Sequence, residues 1–198
     1  MKMFAADLHL GHRLSAKNRG FSSIQEHDDV IIDNLMNCLK KGDNLYLLGD
    51  TFFTNNDDFR NNFFNLLRRE RINVHFIRGN HDKKLPNHKV IKTVSWIKDI
   101  KENGQHITLC HYPMLVWNRS HYNSWLLHGH IHKDDPTYLK LMSVYYSQLL
   151  QGKRLNVNID FNNLCPFSFD EVKAIMDEKE DNFDLIVKKW NNLIFTID

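Results

Sequence analysis

Residues 125–132 read Trp-Leu-Leu-His-Gly-His-Ile-His, an apolar run that ends in a cluster of histidines around one glycine. The run Trp125–Leu127 has the length and composition of a buried strand and is too short for a helix. Alternate side chains of an extended segment point to the same face, so His130 and His132 can reach one ion together. Imidazole is the commonest metal ligand in proteins. The segment therefore predicts a strand that presents metal ligands at its carboxyl end.

Four other apolar runs end in the same kind of residue. They are Lys2–Ala6 before Asp7-Leu8-His9, Leu45–Leu48 before Gly49-Asp50, Asn73–Ile77 before Arg78-Gly79-Asn80-His81-Asp82, and Ile107–Cys110 before His111. Open α/β sheets bind ligands at the carboxyl ends of their strands. We therefore expect these side chains to meet at one rim, with glycines where backbone passes close to the site. Val90–Ile97 and Leu155–Ile159 predict two further strands.

Helical patterns lie between the strands. Ser23 with Glu26, and Ser168 with Glu171, have the spacing of capping boxes. The expected helices run from Ile24 to Leu39, over Phe59–Leu67, and from Ser168 to about Glu178. Strands that alternate with helices indicate an α/β fold.

Bulk composition excludes several classes of protein. The chain has 198 residues, which suits a single domain over 1–198, and a formal net charge of +2, which argues against a large nucleic-acid surface. Three cysteines without CxxC spacing fit a reducing cytoplasm rather than a disulfide framework. We see no run near the roughly 18 apolar residues of a membrane span. Histidine is the unusual count, at 12.

The blocks resemble the calcineurin-like metallophosphoesterases, whose pattern is D-x-H, G-D, G-N-H-D, a lone H and G-H-x-H. This chain has DLH at 7–9, GD at 49–50, GNHD at 79–82, His111 and GHIH at 129–132, all in order. The match spans about residues 1–132 and is closest to the small bacterial and phage members. It implies a two-sheet β-sandwich flanked by helices, with a dimetal site at the carboxyl ends of the strands. Asn158 stands where those members more often have glycine, so the closing loop here is expected to differ.

The resemblance also implies a role for each site residue. Two divalent transition-metal ions are expected, Mn²⁺ first, with Fe, Zn, Ni or Co as alternatives, because imidazole and carboxylate suit all of these ions. A metal-bridging hydroxide would be the nucleophile. His81 would be the catalytic residue that is not a ligand, with Asp82 as its orienting partner. The implied ligands are Asp7, His9 and His132 for the first ion, Asn80, His111 and His130 for the second, and Asp50 between them.

The sequence says less about the residues that surround the expected metal site. His12 is either a substrate-binding residue or a polar loop residue, and Tyr112–Trp117 either lines the pocket or packs locally. Residues 134–152 look like a helical insertion that caps the site, forms a homodimer contact or packs on the core.

The expected function is hydrolysis of a small phosphoester. GDTFFTN and GNHD differ from the corresponding blocks of protein Ser/Thr phosphatases, which favours a small phosphodiesterase or nucleotide phosphoesterase. The alternative is a non-catalytic, metal-binding interaction scaffold on the same fold.

Overall fold

The computed structural model describes residues 1–82, 88–133 and 151–182, which form two β-sheets flanked by helices. The strands are β1 (Lys2–Ala5), β2 (Asn44–Leu48), β3 (Asn73–Ile77), β4 (Ile91–Ser95), β5 (Ile97–Glu102), β6 (Gln105–Cys110), β7 (Trp125–His128), β8 (Arg154–Asn156) and β9 (Phe167–Ser168). The helices are α1 (Arg13–Asn18), α2 (Ile24–Cys38), α3 (Asp57–Arg69) and α4 (Phe169–Asp177), with 3-10 turns at Ser120–Tyr122 and Ile159–Phe161. Within these residues no helix is long and apolar enough to cross a bilayer.

Each sheet has a parallel centre. The first has the order β4-β3-β2-β1-β9, in which β1 to β4 are parallel and β9 is antiparallel to β1. The second has the order β5-β6-β7-β8, in which β6 to β8 are parallel and β5 is antiparallel to β6. The carboxyl ends of the parallel strands therefore share one edge in each sheet.

The sheets pack face to face because neighbouring residues of the central strands point to opposite sides. In β1, Phe4 belongs to an apolar cluster that also contains Leu109 and Leu127 of the second sheet. Met3 and Ala5 point the other way, into a cluster formed with α2 and α3. Strands buried on both faces read as continuous apolar runs, which is why the sequence showed them clearly.

Helix ends follow the predicted caps. The Ser23 side chain accepts a hydrogen bond from Glu26 N, and Ser168 with Glu171 forms a complete capping box. Helix α3 begins at Asp57, two residues earlier than expected, because the Asn56 side chain caps it by accepting from Phe59 N.

Two expected strands differ in the structure. Val90–Ile97 was predicted as one strand, but Trp96 separates two strands. β4 lies in the first sheet and β5 in the second. The predicted strand Leu155–Ile159 ends at Asn156, and a 3-10 turn begins at Ile159. Of the expected insertion at 134–152, residues 134–150 lie outside the described part of the chain.

Candidate metal centre

Loops from both sheets meet where their strands end. His130 N, after β7, donates to Asp7 Oδ2, after β1, at 2.9 Å. His111 Nδ1, after β6, lies 2.8 Å from Leu48 O at the end of β2. These two contacts join the ends of four strands, and the 3.0 Å contact of His111 Nε2 with Asn80 Oδ1 adds the loop after β3. The sequence-predicted ligands that gather there are Asp7, His9, Asp50, Asn80, His111, His130 and His132.

The first group contains Asp7, His9 and His132, whose ligand atoms all lie within 4.8 Å of one another. Asp7 Oδ1 is 3.7 Å from His9 Nε2 and 4.0 Å from His132 Nε2. These distances are too long for hydrogen bonds, and they suit three ligands arranged around a common ion.

The second group is organised around His111. Its Nε2 lies 3.0 Å from Asn80 Oδ1 and 3.4 Å from Asp50 Oδ2, and His130 Nδ1 lies 3.1 Å from the same Asn80 oxygen. The Leu48 carbonyl can only accept, so Nδ1 of His111 carries a proton, and in the neutral ring Nε2 presents its lone pair to the cluster. Asp7, Asp50 and His111 also lie within 4.8 Å of one another, which places Asp7 in both groups.

Three buried atoms test whether this site suits a metal ion. Asp7 Oδ1 and both ring nitrogens of His9 make no hydrogen bond within the described residues. Asp7 is 0% exposed and His9 is 4% exposed, so these atoms are shielded from bulk solvent. Buried polar groups are nearly always paired, and unpaired ones cost free energy. A carboxylate and an imidazole left with free lone pairs, side by side, are suited to a divalent cation.

Several residues of the cluster have a strained backbone. Asp7, His9, Asp50 and His130 all have positive φ, at 58°, 53°, 51° and 71°. Such conformations cost about 1–3 kcal/mol each for residues other than glycine, and they cluster at functional sites. Backbone hydrogen bonds hold them in place, among them Asp7 N to Gly49 O and His9 N to Asp50 O. Stabilising contacts in the rest of the fold therefore offset the backbone strain that orients these side chains.

Two imidazoles are kept neutral by their surroundings. Burial lowers the pKa of His9, and burial together with the His111 charge lowers the pKa of His130. A metal ligand must be the neutral imidazole, so both histidines are ready to bind near neutral pH. For His111, burial acts to lower the pKa, but the contact with Asp50 and the charge of Asp7 outweigh it and raise the pKa. The negative charges of the carboxylates thus favour the binding of a cation in the cluster.

Sequence reasoning missed a support behind His132. Asp160 Oδ2 lies 3.4 Å from His132 Nδ1, and Asp160 Oδ1 accepts from Arg19 Nε at 2.7 Å. Burial acts to raise the pKa of Asp160, but His132 and Arg19 outweigh it and lower the pKa to about 2. Arg19 also donates to the carbonyl oxygens of Asp7 and Leu8. One arginine therefore connects the Asp7 loop to the carboxylate that orients His132.

Asn158 gives the closing loop contacts that glycine lacks. Its Oδ1 accepts from Asp160 N at 2.9 Å, and its Nδ2 lies 3.3 Å from both Ile131 O and His132 Nδ1. These contacts tie the closing loop to His132 and to Asp160.

We expect Asp160→Asn to weaken metal binding by about 10–100-fold, because an orienting carboxylate behind a ligating histidine typically contributes that much. Metal affinity is measured by competition with a chelating indicator. Asp177→Asn is the control, since Asp177 is an exposed carboxylate paired with Lys173. Equal affinities for wild type and Asp160→Asn would contradict a positioning role for Asp160.

His81 lies beside the cluster rather than within it. Its side chain is 42% exposed, and its ring Nε2 is 3.9 Å from Asp50 Oδ2. Its backbone N–H donates to Asp50 Oδ1 at 2.9 Å. The ring is therefore close to the site and open to solvent. Asp82, expected to orient His81, accepts instead from the N–H groups of Gly79 and Asp50, both at 2.8 Å. Asp82 thus braces the Asp50 loop.

His12 lies at the margin of the cluster. Its Nδ1 is 2.6 Å from Ser15 Oγ, and its ring centroid is 5.4 Å from that of His9. Burial and the neighbouring His9 and His81 lower its pKa to about 4. A neutral His12 offers a substrate phosphate no full positive charge, although it remains next to the site.

In the Tyr112–Trp117 loop, one end borders the site and the other end packs locally. The Tyr112 ring is 39% exposed and 4.9 Å from the His130 ring. Trp117 is buried, and its Nε1 donates to Ser124 O at 3.1 Å. Tyr112 therefore borders the site, whereas Trp117 packs locally.

Two glycines allow this close packing. Gly49 has φ +88°, and a Cβ there would overlap the His111 ring. A Cβ at Gly129 would lie 2.6 Å from Asp7 Oδ2. Both positions require the absence of a side chain.

We expect Gly49→Ala to lose metal binding as well as stability, because the new methyl group displaces His111. Gly42→Ala is the matched control: Gly42 has φ +90°, and a Cβ there would meet no described atom within 4 Å. The control carries the same backbone strain without the collision, at about 1–2 kcal/mol. Thermal unfolding and metal titration of both variants separate the two effects, and equal metal affinity in the two variants would contradict the collision.

Two known proteins are similar to this chain over most of its length. No family model matches the chain. A protein of Methanocaldococcus jannaschii described as uncharacterized is 28% identical over 176 residues, covering 87% of this chain and 89% of the relative. A solved structure of a protein of unknown function from Aquifex aeolicus has a TM-score of 0.65 at 24% identity, over 88% of this chain and 98% of the other. This chain and the Aquifex aeolicus protein share a fold.

A more distant solved structure is the Pseudomonas putida nuclease MPE. Its TM-score is 0.44 at 20% identity, over 66% of this chain and 61% of the nuclease. At that level the likeness carries no argument about function.

Proposed function

We propose that this chain is a dimetal-dependent phosphoester hydrolase of the metallophosphoesterase type, acting on a small phosphodiester or nucleotide. The observation that carries the proposal is the pair of ligand groups joined through Asp7, together with the buried unpaired atoms of Asp7 and His9. Structural zinc sites are usually closed, four-coordinate and rich in cysteine. A larger set of imidazole, carboxylate and amide ligands next to an exposed histidine favours a catalytic site instead.

The proposed assignment is the one that the family resemblance implies, and the contacts within the cluster support it. Asp7, His9 and His132 would hold one ion, and Asn80, His111 and His130 would hold the other, with Asp50 beside His111. When bound, such a pair supplies an activated water and neutralises charge on the phosphorus oxygens. Mn²⁺ is the first choice, and Fe, Zn, Ni and Co share the same ligand preferences.

His81 would act on the substrate directly. Its exposed ring lies outside both ligand groups, so it can meet a phosphate that occupies the cluster. We propose that it donates a proton or a hydrogen bond to the ester oxygen that leaves, as general acids do. Its backbone N–H, bonded to Asp50, would fix the ring relative to the ions.

The test is hydrolysis of bis(p-nitrophenyl) phosphate by protein loaded with Mn²⁺, compared with p-nitrophenyl phosphate and with chelator-treated protein. We expect metal-dependent turnover that is faster with the diester. Faster turnover of the monoester would move the proposal to a phosphatase. Tight metal binding without turnover of any ester would favour the interaction scaffold.

A further inference from the structure

Phe53 is a large apolar side chain at the edge of the candidate site, and it is 40% exposed. Its neighbour Phe52 is 4% exposed and packs on Phe59, Phe63 and Phe64. Since adjacent residues of an extended segment point in opposite directions, anchoring Phe52 in the core turns Phe53 outward.

The backbone around Phe53 is fixed. Leu10 and Phe52 form a bridge between the loops after β1 and β2, and Phe53 N donates to Leu10 O at 2.8 Å. These two loops also carry His9 and Asp50, so the Phe53 ring is held in register with the ligand cluster.

Two histidines flank the Phe53 ring. His12 is stacked against it, with centroids 3.7 Å apart and planes 21° apart, and the His81 centroid is 4.6 Å away. Ser15 holds His12 in turn through the 2.6 Å contact at Nδ1. We call Phe53 with its His12 support the aromatic shelf. The shelf leaves part of the Phe53 ring exposed next to His81.

A cavity of about 200 Å³ opens beside the shelf, lined by Phe52, Phe53, Thr54, Asn55, Arg60 and His81. A cavity of about 150 Å³ is enough to hold benzene. The space next to His81 therefore fits one six-membered ring, with polar side chains within reach of its edge.

We propose that the aromatic shelf and this cavity bind a planar aromatic or heteroaromatic ring carried by the substrate. The inference rests on the proposed function, because it assumes that a phosphate occupies the ligand cluster. It narrows the substrate class to phosphoesters with a flat unsaturated ring near the ester oxygen that faces His81.

Stacking chemistry supports this choice over a flexible alkyl group. A flat ring gains offset-stacked or edge-on contact with an aromatic side chain beyond its buried area, whereas a saturated ring gains only the area. Loss of one aromatic partner that stacks on a base typically weakens binding by about 10-fold or more. Because His12 and the Leu10–Phe52 bridge hold Phe53 in place before a ligand arrives, Phe53 loses little conformational freedom on binding.

The test compares phenylphosphonate, cyclohexylphosphonate and methylphosphonate as ligands of the Mn²⁺-loaded protein by titration calorimetry. We expect phenylphosphonate to bind at least about 10-fold more tightly than methylphosphonate and more tightly than cyclohexylphosphonate. Phe53→Leu keeps apolar bulk and should lose the preference for phenyl over cyclohexyl. Phe53→Tyr should restore that preference.

Tyr122→Ala is the control, because Tyr122 is an exposed aromatic that precedes β7, at the opposite end of that strand from the ligands. It should keep the wild-type order of affinities. Equal binding of the three phosphonates by wild type, or a phenyl preference that survives Phe53→Leu, would overturn the shelf. The binding order does not depend on turnover, so it is decided separately from the hydrolysis that tests the proposed function.

Discussion

His81→Ala is expected to lower kcat by about 10²–10⁴-fold while the metal content of the protein stays unchanged, the usual loss for a general acid. The reason is its position: His81 lies next to Asp50 but outside both ligand groups, with an exposed ring. The measurements are turnover of bis(p-nitrophenyl) phosphate and metal content by mass spectrometry. His121→Ala is the matched control, since His121 is exposed and pairs with Tyr122.

The leaving group sharpens this test. If His81 protonates the leaving oxygen, the loss in His81→Ala should be larger for a phenyl ester than for a p-nitrophenyl ester, because the phenolate is the poorer leaving group. An equal loss for both esters would indicate that His81 stabilises charge without transferring a proton. Unchanged turnover at full metal occupancy would contradict any catalytic role.

Asp7→Asn is expected to abolish stabilisation of the protein by metal. Asp7 is fully buried and belongs to both ligand groups, so loss of its charge weakens both positions. At a free ion concentration about 100 times Kd, binding stabilises the folded state by about 2.7 kcal/mol. For a chain of this length that is roughly 5–10 °C in Tm. Thermal unfolding of wild type and variant, with Mn²⁺ and with chelator, measures the difference.

Asp43→Asn separates the metal effect from the general cost of changing a buried carboxylate. Asp43 is 4% exposed, and it pairs with the N-terminal amine and accepts from Lys40 N. This variant should be less stable than wild type, yet show the full shift on metal addition. A full metal-dependent shift in Asp7→Asn would contradict the assignment of Asp7.

Local sequence was sufficient to predict most of the strands that carry the candidate ligands. β1, β2 and β7 are buried on both faces and β3 along most of its length, so their apolar runs stand out, and each ends at a polar block. The edge strand β5 was missed beyond Ile97 because four of the five residues in Lys98–Glu102 are charged, as in a surface loop.

The supports of the site could not be predicted, because they depend on contacts that are distant in the chain. Arg19 and Asp160 are separated by 141 residues, and neither belongs to a recognisable motif. The positive φ of Asp7, His9 and His130 arises from hydrogen bonds between loops of different strands. Phe53 belongs to no motif in the sequence, and the burial of Phe52 shows which way it points.

The most direct test of the central claim is Mn²⁺ titration of the wild-type protein, followed by electron paramagnetic resonance. Two ions in such sites lie about 3.5–4 Å apart, close enough for their spins to couple. We predict two ions per chain with the spectrum of a coupled pair. One ion per chain, or two ions with the spectra of isolated Mn²⁺, would contradict a dimetal centre at this cluster.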